Sequence, residues 1–177
     1  MQTRIPCVIM RGGTSRGPFL LTSDLPQDTA TRDEVLLAIM GSPHEIQIDG
    51  IGGSHSVTSK VAMISKSKRP DADVDYLFAQ VQIHEKFVDT KPNCGNMLIA
   101  VAPFAIEAGL IPAHDPETVV RIHNVNTGAL VDSIVQTPGG ITMYYDIGQG
   151  QGYQRNIVMN GTPHLPKSIQ QWWGDSR

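Results

Sequence analysis

Apolar and polar positions along the chain divide it into short strands, one amphipathic helix and one buried helix. Ile5–Met10 reads as a first strand, with Pro6 placing it at an edge or at its own start. Phe19-Leu20-Leu21 reads as a second strand. From Asp28 to Met40 the pattern is helical: Val35, Leu36, Ile39 and Met40 fall on one face, and Gly41 is a fitting stop. The helix can begin at the capping box Thr31-Arg32-Asp33-Glu34 or one turn earlier at Asp28. Ile46–Ile48 predicts a short strand and Val61–Ile64 a buried one. The clearest strand is Val74 to Ile83, with Leu77, Ala79, Val81 and Ile83 on one face. Tyr76, Phe78, Gln80 and Gln82 fall on the other. A short extended piece at Phe87-Val88 precedes the apolar run Met97–Ile106, which predicts a buried helix bent or shortened by Pro103 and ended by Gly109. Val119–Ile122 and Leu130–Gln136 pair around Asn126-Thr127-Gly128, and Ile141–Tyr145 predicts the start of a further strand.

At 177 residues, with no internal repeat, the chain is expected to be one domain or one lobe of something larger. The net charge of −3 comes without a basic block, which argues against nucleic acid or an anionic membrane as the partner. No apolar run approaches membrane-spanning length, and no signal-peptide core follows Met1. Two cysteines make no disulfide framework, so a reduced, cytoplasmic protein is expected, with Cys7 in the core.

Chemistry concentrates in three stretches. Pro92-Asn93-Cys94-Gly95-Asn96 joins the extended Val88–Thr90 to the buried helix, so Cys94 falls at a helix start. Free N–H groups and the positive dipole end there favour a thiolate, and such positions lower a cysteine pKa from ~8.5 to roughly 3.5–7.5. The alternative is a small, inert core cysteine beside an N-capping asparagine. The run Arg11-Gly12-Gly13-Thr14-Ser15-Arg16-Gly17 is either a plain hairpin turn or an anion cradle of exposed N–H groups, hydroxyls and guanidinium forks. It lacks the Walker A pattern. Asp49-Gly50-Ile51-Gly52-Gly53-Ser54-His55-Ser56 leads through Thr58 and Ser59 to Lys60, at the mouth of a strand. Lys60 could act as acid, base or carboxylate partner, or simply reach solvent along its stem. His55 has no second ligand at metal spacing, so no metal site is expected.

Several of these stretches, in one order, resemble the family of cofactor-independent isomerases typified by the methylaconitate isomerase PrpF and 4-oxalomesaconate tautomerase. They are Ile5-Pro6-Cys7-Val8 running into Met10–Gly17, Ile48–Gly53, Thr58-Ser59-Lys60-Val61-Ala62, Asp73–Val81 and Pro92–Leu98, spanning about Ile5 to Pro138. The resemblance implies an α+β, diaminopimelate epimerase-like fold: two similar lobes, each a β-roll around a central helix, with the active site between them. It implies proton shifts between carbons of small unsaturated di- or tricarboxylic acids, with no metal and no organic cofactor. Cys94 matches the catalytic cysteine and Lys60 a lysine implicated in proton transfer. Segments around the substrate carboxylates match Arg11, Gly12, Gly13, Thr14, Ser15 and Arg16, then Gly52, Gly53, Ser54 and Ser59. Asn93, Gly95, Asn96 and Met97 complete that set. Ser54, Ala100 and Ala102 depart from the resemblance, since many relatives carry glycine there.

The C-terminal part departs further. Residues 1–140 are expected to form one lobe, whereas 141–177 is a divergent tail, losing the resemblance from about Met143 and ending near Trp172-Trp173. A frameshifted or truncated gene product is the expectation, with a natural short variant as the alternative; the coding DNA past Gln136, read in its other frames, distinguishes them. A lone lobe would expose apolar surface, and two copies forming a homodimer would imitate the missing symmetry. The leading reading is therefore an isomerase of this type. The alternative is an inactive lobe that at most binds small carboxylates, and amino-acid epimerisation stands behind both.

Overall fold

The structure is a computed structural model and describes residues 3–142; the expected tail from Met143 and the expected strand beyond Thr142 lie outside them. The described chain forms β1 (Val8–Gly12), β2 (Ser15–Leu21), α1 (Thr29–Met40), β3 (Lys60–Lys66), β4 (Val74–Val81) and β5 (Val88–Asp89). After these come α2 (Gly95–Leu98), α3 (Val101–Glu107), β6 (Glu117–Asn124) and β7 (Ala129–Gln136). One mixed sheet runs β1-β2-β3-β4-β6-β7, with β5 pairing β4. β2 and β3 are parallel, as are β4 and β6; the other neighbours are antiparallel.

The sheet has two buried faces because β2, β3 and β4 carry apolar residues on both sides. Phe19, Ala62, Ile64, Val74, Tyr76 and Phe78 face inward and pack around α2 and α3. Leu20, Val61, Met63, Ala79 and Val81 face outward and pack beneath α1, against Leu36, Leu37 and Met40. The two faces assigned to β4 by alternation are thus both core. β6 and β7 are covered on one face only: Val120, Ile122 and Val135 are buried, while Val119, Leu130 and Ile134 are exposed.

Four expectations need correction, and one open alternative is decided. Cys7 is exposed, because β1 begins at Val8: Pro6 has no N–H to give a ladder, and β2 pairs no residue before Val8. Ile46–Ile48 is a pair of turns; Gln47 sits at φ 45° with its side chain buried, which leaves Ile46 and Ile48 exposed. Of the two starts left open for α1 the earlier one is found: Asp28 is the cap, its carboxylate accepts the Thr31 N–H at 2.8 Å, and Thr31 lies inside the helix. The run Met97–Ile106 is two helices, broken at Ile99 and Ala100. Pro103 cannot donate to Ile99 and would crowd its carbonyl; it is accommodated in the first turn of α3, where N–H groups lack helical partners anyway. The helix was expected either to bend at Pro103 or to stay regular only in its first two turns; it breaks before the proline, and the longer piece contains it. Lastly, Ile141 is exposed and outside any strand. Among the described residues no helix is long and apolar enough to cross a membrane.

Candidate active site

The inner face of the sheet gathers the candidate residues at one end. β1 and β2 form a hairpin with Gly13-Thr14 as its turn, pairing Gly12 with Ser15 and Arg11 with Arg16. Gly12 and Ser15 point inward. A Cβ on Gly12 would collide with the Asn96 carbonyl oxygen and lie 2.8 Å from its carbon, so only glycine lets the hairpin close on α2. At that contact Ser15 Oγ lies 3.8 Å from Cys94 Sγ, and Asn96 Nδ2 donates to Thr14 Oγ1 at 2.8 Å. Ser15 and Cys94 are both buried.

Cys94 is the N-cap residue of α2, extended at φ −133° and ψ 99°, and its side chain caps nothing. Its carbonyl accepts from Leu98 N–H at 3.2 Å and from the buried Tyr76 hydroxyl at 3.2 Å. Burial pushes the Tyr76 phenol far above its ordinary value. Tyr76 therefore remains a neutral donor. α2 has only four residues before the break at Ile99, so the long helix expected to aim its dipole at Cys94 is absent. What lies beside the sulfur is one turn of backbone and a buried hydroxyl.

Lys60 opens β3 on the same inner face, directly across from Gln80. Its Nζ donates to Gln80 Oε1 at 2.9 Å and stands 4.8 Å from the centre of the Phe78 ring. Gly17 keeps this strand close to α2: a Cβ there would collide with the Lys60 carbonyl and lie 3.3 Å from Met97 Cε.

Not every candidate is brought to that face. Register turns Arg11 and Arg16 to the outer side of the hairpin, opposite Ser15, and Arg16 reaches Gly53 of the glycine loop. Ser59 is fully buried and spends its hydroxyl on Val81 O at 2.8 Å and Gln47 Nε2 at 2.7 Å. Gln47 Oε1 also accepts the Ser54 N–H, and Gly52 packs on the same side chain. Ser54 has φ 60°, the left-handed geometry in which the resemblance expects glycine. Asn93 Oδ1 accepts from Asn124 Nδ2 at 2.7 Å, tying the turn to β6, while Gly95 and Met97 lie in α2 itself. His55 Nδ1 accepts a local N–H, from Val57. Tyr76, Gln80 and Gln47 carry no role in the sequence motifs. Their signal was polarity placed on otherwise apolar faces.

The PrpF protein family matches residues 2–151 of this chain, past the last of the motifs read from the sequence. The Escherichia coli (strain K12) protein YbhH is 62% identical over 141 residues, covering 80% of this chain and 40% of its own length. The 4-oxalomesaconate tautomerase of Pseudomonas putida is 57% identical over 143 residues, covering 81% and 40%. In a crystal structure of a methylitaconate-delta-isomerase the fold recurs with a TM-score of 0.77 and 52% identity, over 80% of this chain and 63% of that one. The chain spans about 40% of the length of the curated relatives it matches. Its fold is the epimerase-like β-roll around central helices. The chain belongs to the PrpF family.

Proposed function

With family membership as the premise, we propose that this chain carries Cys94 and Lys60 for an isomerase acting on small unsaturated di- or tricarboxylic acids. Compounds of the oxalomesaconate, methylaconitate or methylitaconate type fit, and the names of relatives support this class. The carrying observation is the junction where the hairpin closes on α2, holding Ser15 Oγ 3.8 Å from Cys94 Sγ on the face that also bears Lys60. In the reaction the Cys94 sulfur takes a proton from the carbon next to a carboxylate or keto group. Electron density moves onto oxygen, where N–H donors and the Lys60 ammonium stabilise it. Lys60 then returns a proton at the distal carbon of the shifted double bond. Proton count and charge are conserved over the step.

Residues 1–140 form the working lobe in this proposal and 141–177 a divergent tail. Free cysteines at Cys7 and Cys94 suit a reduced, cytoplasmic setting, and a homodimer would supply a facing surface. A second reading has its own observation: the chain covers only about 40% of those relatives, so it could bind carboxylates without turning them over. The test is an ultraviolet assay of the full chain with oxalomesaconate, aconitate and methylitaconate, alongside Cys94→Ala. Turnover that falls at least ~100-fold in the variant is expected; undiminished turnover overturns the role of Cys94. Turnover of none, with carboxylate-dependent thermal stabilisation, favours the second reading.

A further inference from the structure

Gln80 is the residue of β4 directly opposite Lys60, and its amide is fully committed. Nε2 donates to Ser59 O at 2.8 Å and to Ser56 O at 3.1 Å, which uses both of its protons. Turned the other way, the amide would set its own oxygen against two carbonyl oxygens, so this network fixes the orientation. Oε1 must therefore face Lys60 Nζ, and it accepts from it at 2.9 Å. Below lies the ring of Phe78, two residues earlier on the same strand and buried. The Phe78 backbone is clamped in turn by Asn126, which accepts its N–H at 2.8 Å and donates to its carbonyl at 2.9 Å.

An amide oxygen and an aromatic face share one property: each holds a cation without cancelling its charge. Among the described residues Lys60 takes part in no ion pair. A carboxylate in place of Gln80 would attract the ammonium, but it would neutralise it, repel an anionic substrate and lose both donations to Ser56 and Ser59. We propose that Gln80 is a positioning residue for Lys60, aiming its ammonium along the inner face while leaving its charge free for a substrate carboxylate. The inference rests on the reading of Lys60 as a proton-transfer group. Its competitor is a purely structural Gln80 that only ties Ser56 and Ser59 to β4.

Competitive acylation of the full chain with trace acetic anhydride, read by peptide mass spectrometry from pH 7 to 12, separates the two. It follows Lys60 without requiring turnover, so an absence of isomerase activity and a failure of this inference give different results. Lys66 and Lys68, near the far end of β3, serve as internal references. In the wild type Lys60 should label several-fold more slowly than Lys68. Gln80→Glu should raise the midpoint of the Lys60 profile by about one pH unit or more, as an adjacent opposite charge does. Gln80→Met should speed Lys60 labelling without raising the midpoint. In both variants the Lys66 and Lys68 profiles should stay in place. Equal Lys60 profiles in all three proteins overturn the proposal, as does an identical change in both variants, which a lost loop tether would produce. Should either variant fail to fold, the wild type still decides: Lys60 labelling at the rate of Lys68 overturns it.

Discussion

The inner and outer faces of the β2–β3–β4 sheet are built from alternate residues of the same strands, yet they are held in different ways. The outer face is apolar packing under one helix: Leu20, Val61, Met63, Ala79 and Val81 against Leu36, Leu37 and Met40. The inner face keeps an apolar middle, but its rim is polar and individually bonded. There Tyr76 holds the Cys94 carbonyl, Gln80 holds Lys60, and Asn96 holds Thr14. Packing tolerates exchange of one hydrophobe for another, whereas a bonded rim is intolerant of geometry. One face is thus scaffold and the other carries the candidate chemistry, a division that mutation can break or sharpen.

The largest effect is expected on the outer face. Leu36 is fully buried on the sheet-facing side of α1, and Leu36→Ala removes its contacts and leaves a cavity, costing about 2–5 kcal/mol in urea unfolding. The folded fraction should retain the wild-type rate of Cys94 alkylation by iodoacetamide. A changed Cys94 rate would show that the two faces are one coupled unit.

Gly12→Ala tests the inner face and should cost less, about 1–3 kcal/mol, because the strain is overpacking and not a void. The new methyl meets backbone atoms of Asn96, which cannot swing aside as a side chain would. The hairpin must lift from α2, and the Ser15–Cys94 contact opens with it. Cys94 alkylation should then accelerate several-fold even though Leu36→Ala, the more destabilising change, leaves it alone. Unchanged alkylation in Gly12→Ala would remove the hairpin from the description of the site.

The same division explains what was legible in the sequence. The outer face follows from periodicity: Val35, Leu36, Ile39 and Met40 marked the helix face, and alternation in Val74–Ile83, of which β4 keeps Val74–Val81, marked its partner. Backbone events were harder to see. The break before Pro103 needed the knowledge that a proline fits the first turn of a helix better than its middle, and Ile46–Ile48 looked like a strand until Gln47 turned inward. Cys94 and Lys60 stood out by motif, but their supports did not. Gln80 and Tyr76 are ordinary strand residues until β3 and α2 are brought against them, a long-range event that no local pattern encodes. The arginines show the reverse. Their one-residue offset from Gly12 and Ser15 sends Arg11 and Arg16 to the other face, because side chains alternate along a strand.

The smallest expected effect concerns the cap of the outer helix and appears only as a pH dependence. Asp28 is exposed, and its carboxyl is held below its ordinary 3.8 chiefly by the Thr31 backbone N–H, with the Thr31 hydroxyl adding. A carboxyl whose folded value is depressed contributes stability above its unfolded value and loses that contribution as pH falls through the folded value. Asp28→Asn keeps an acceptor at the cap but removes the charge. The wild type should therefore have the higher Tm at pH 6, and the gap should close as pH is lowered from about 4 towards 2. Cys94 alkylation should be equal in both proteins at every pH. A gap in Tm that persisted unchanged at pH 2 would mean that the Asp28 charge adds nothing to the cap. A Cys94 rate that followed the Tm would mean that the helix over the outer face reaches the inner one.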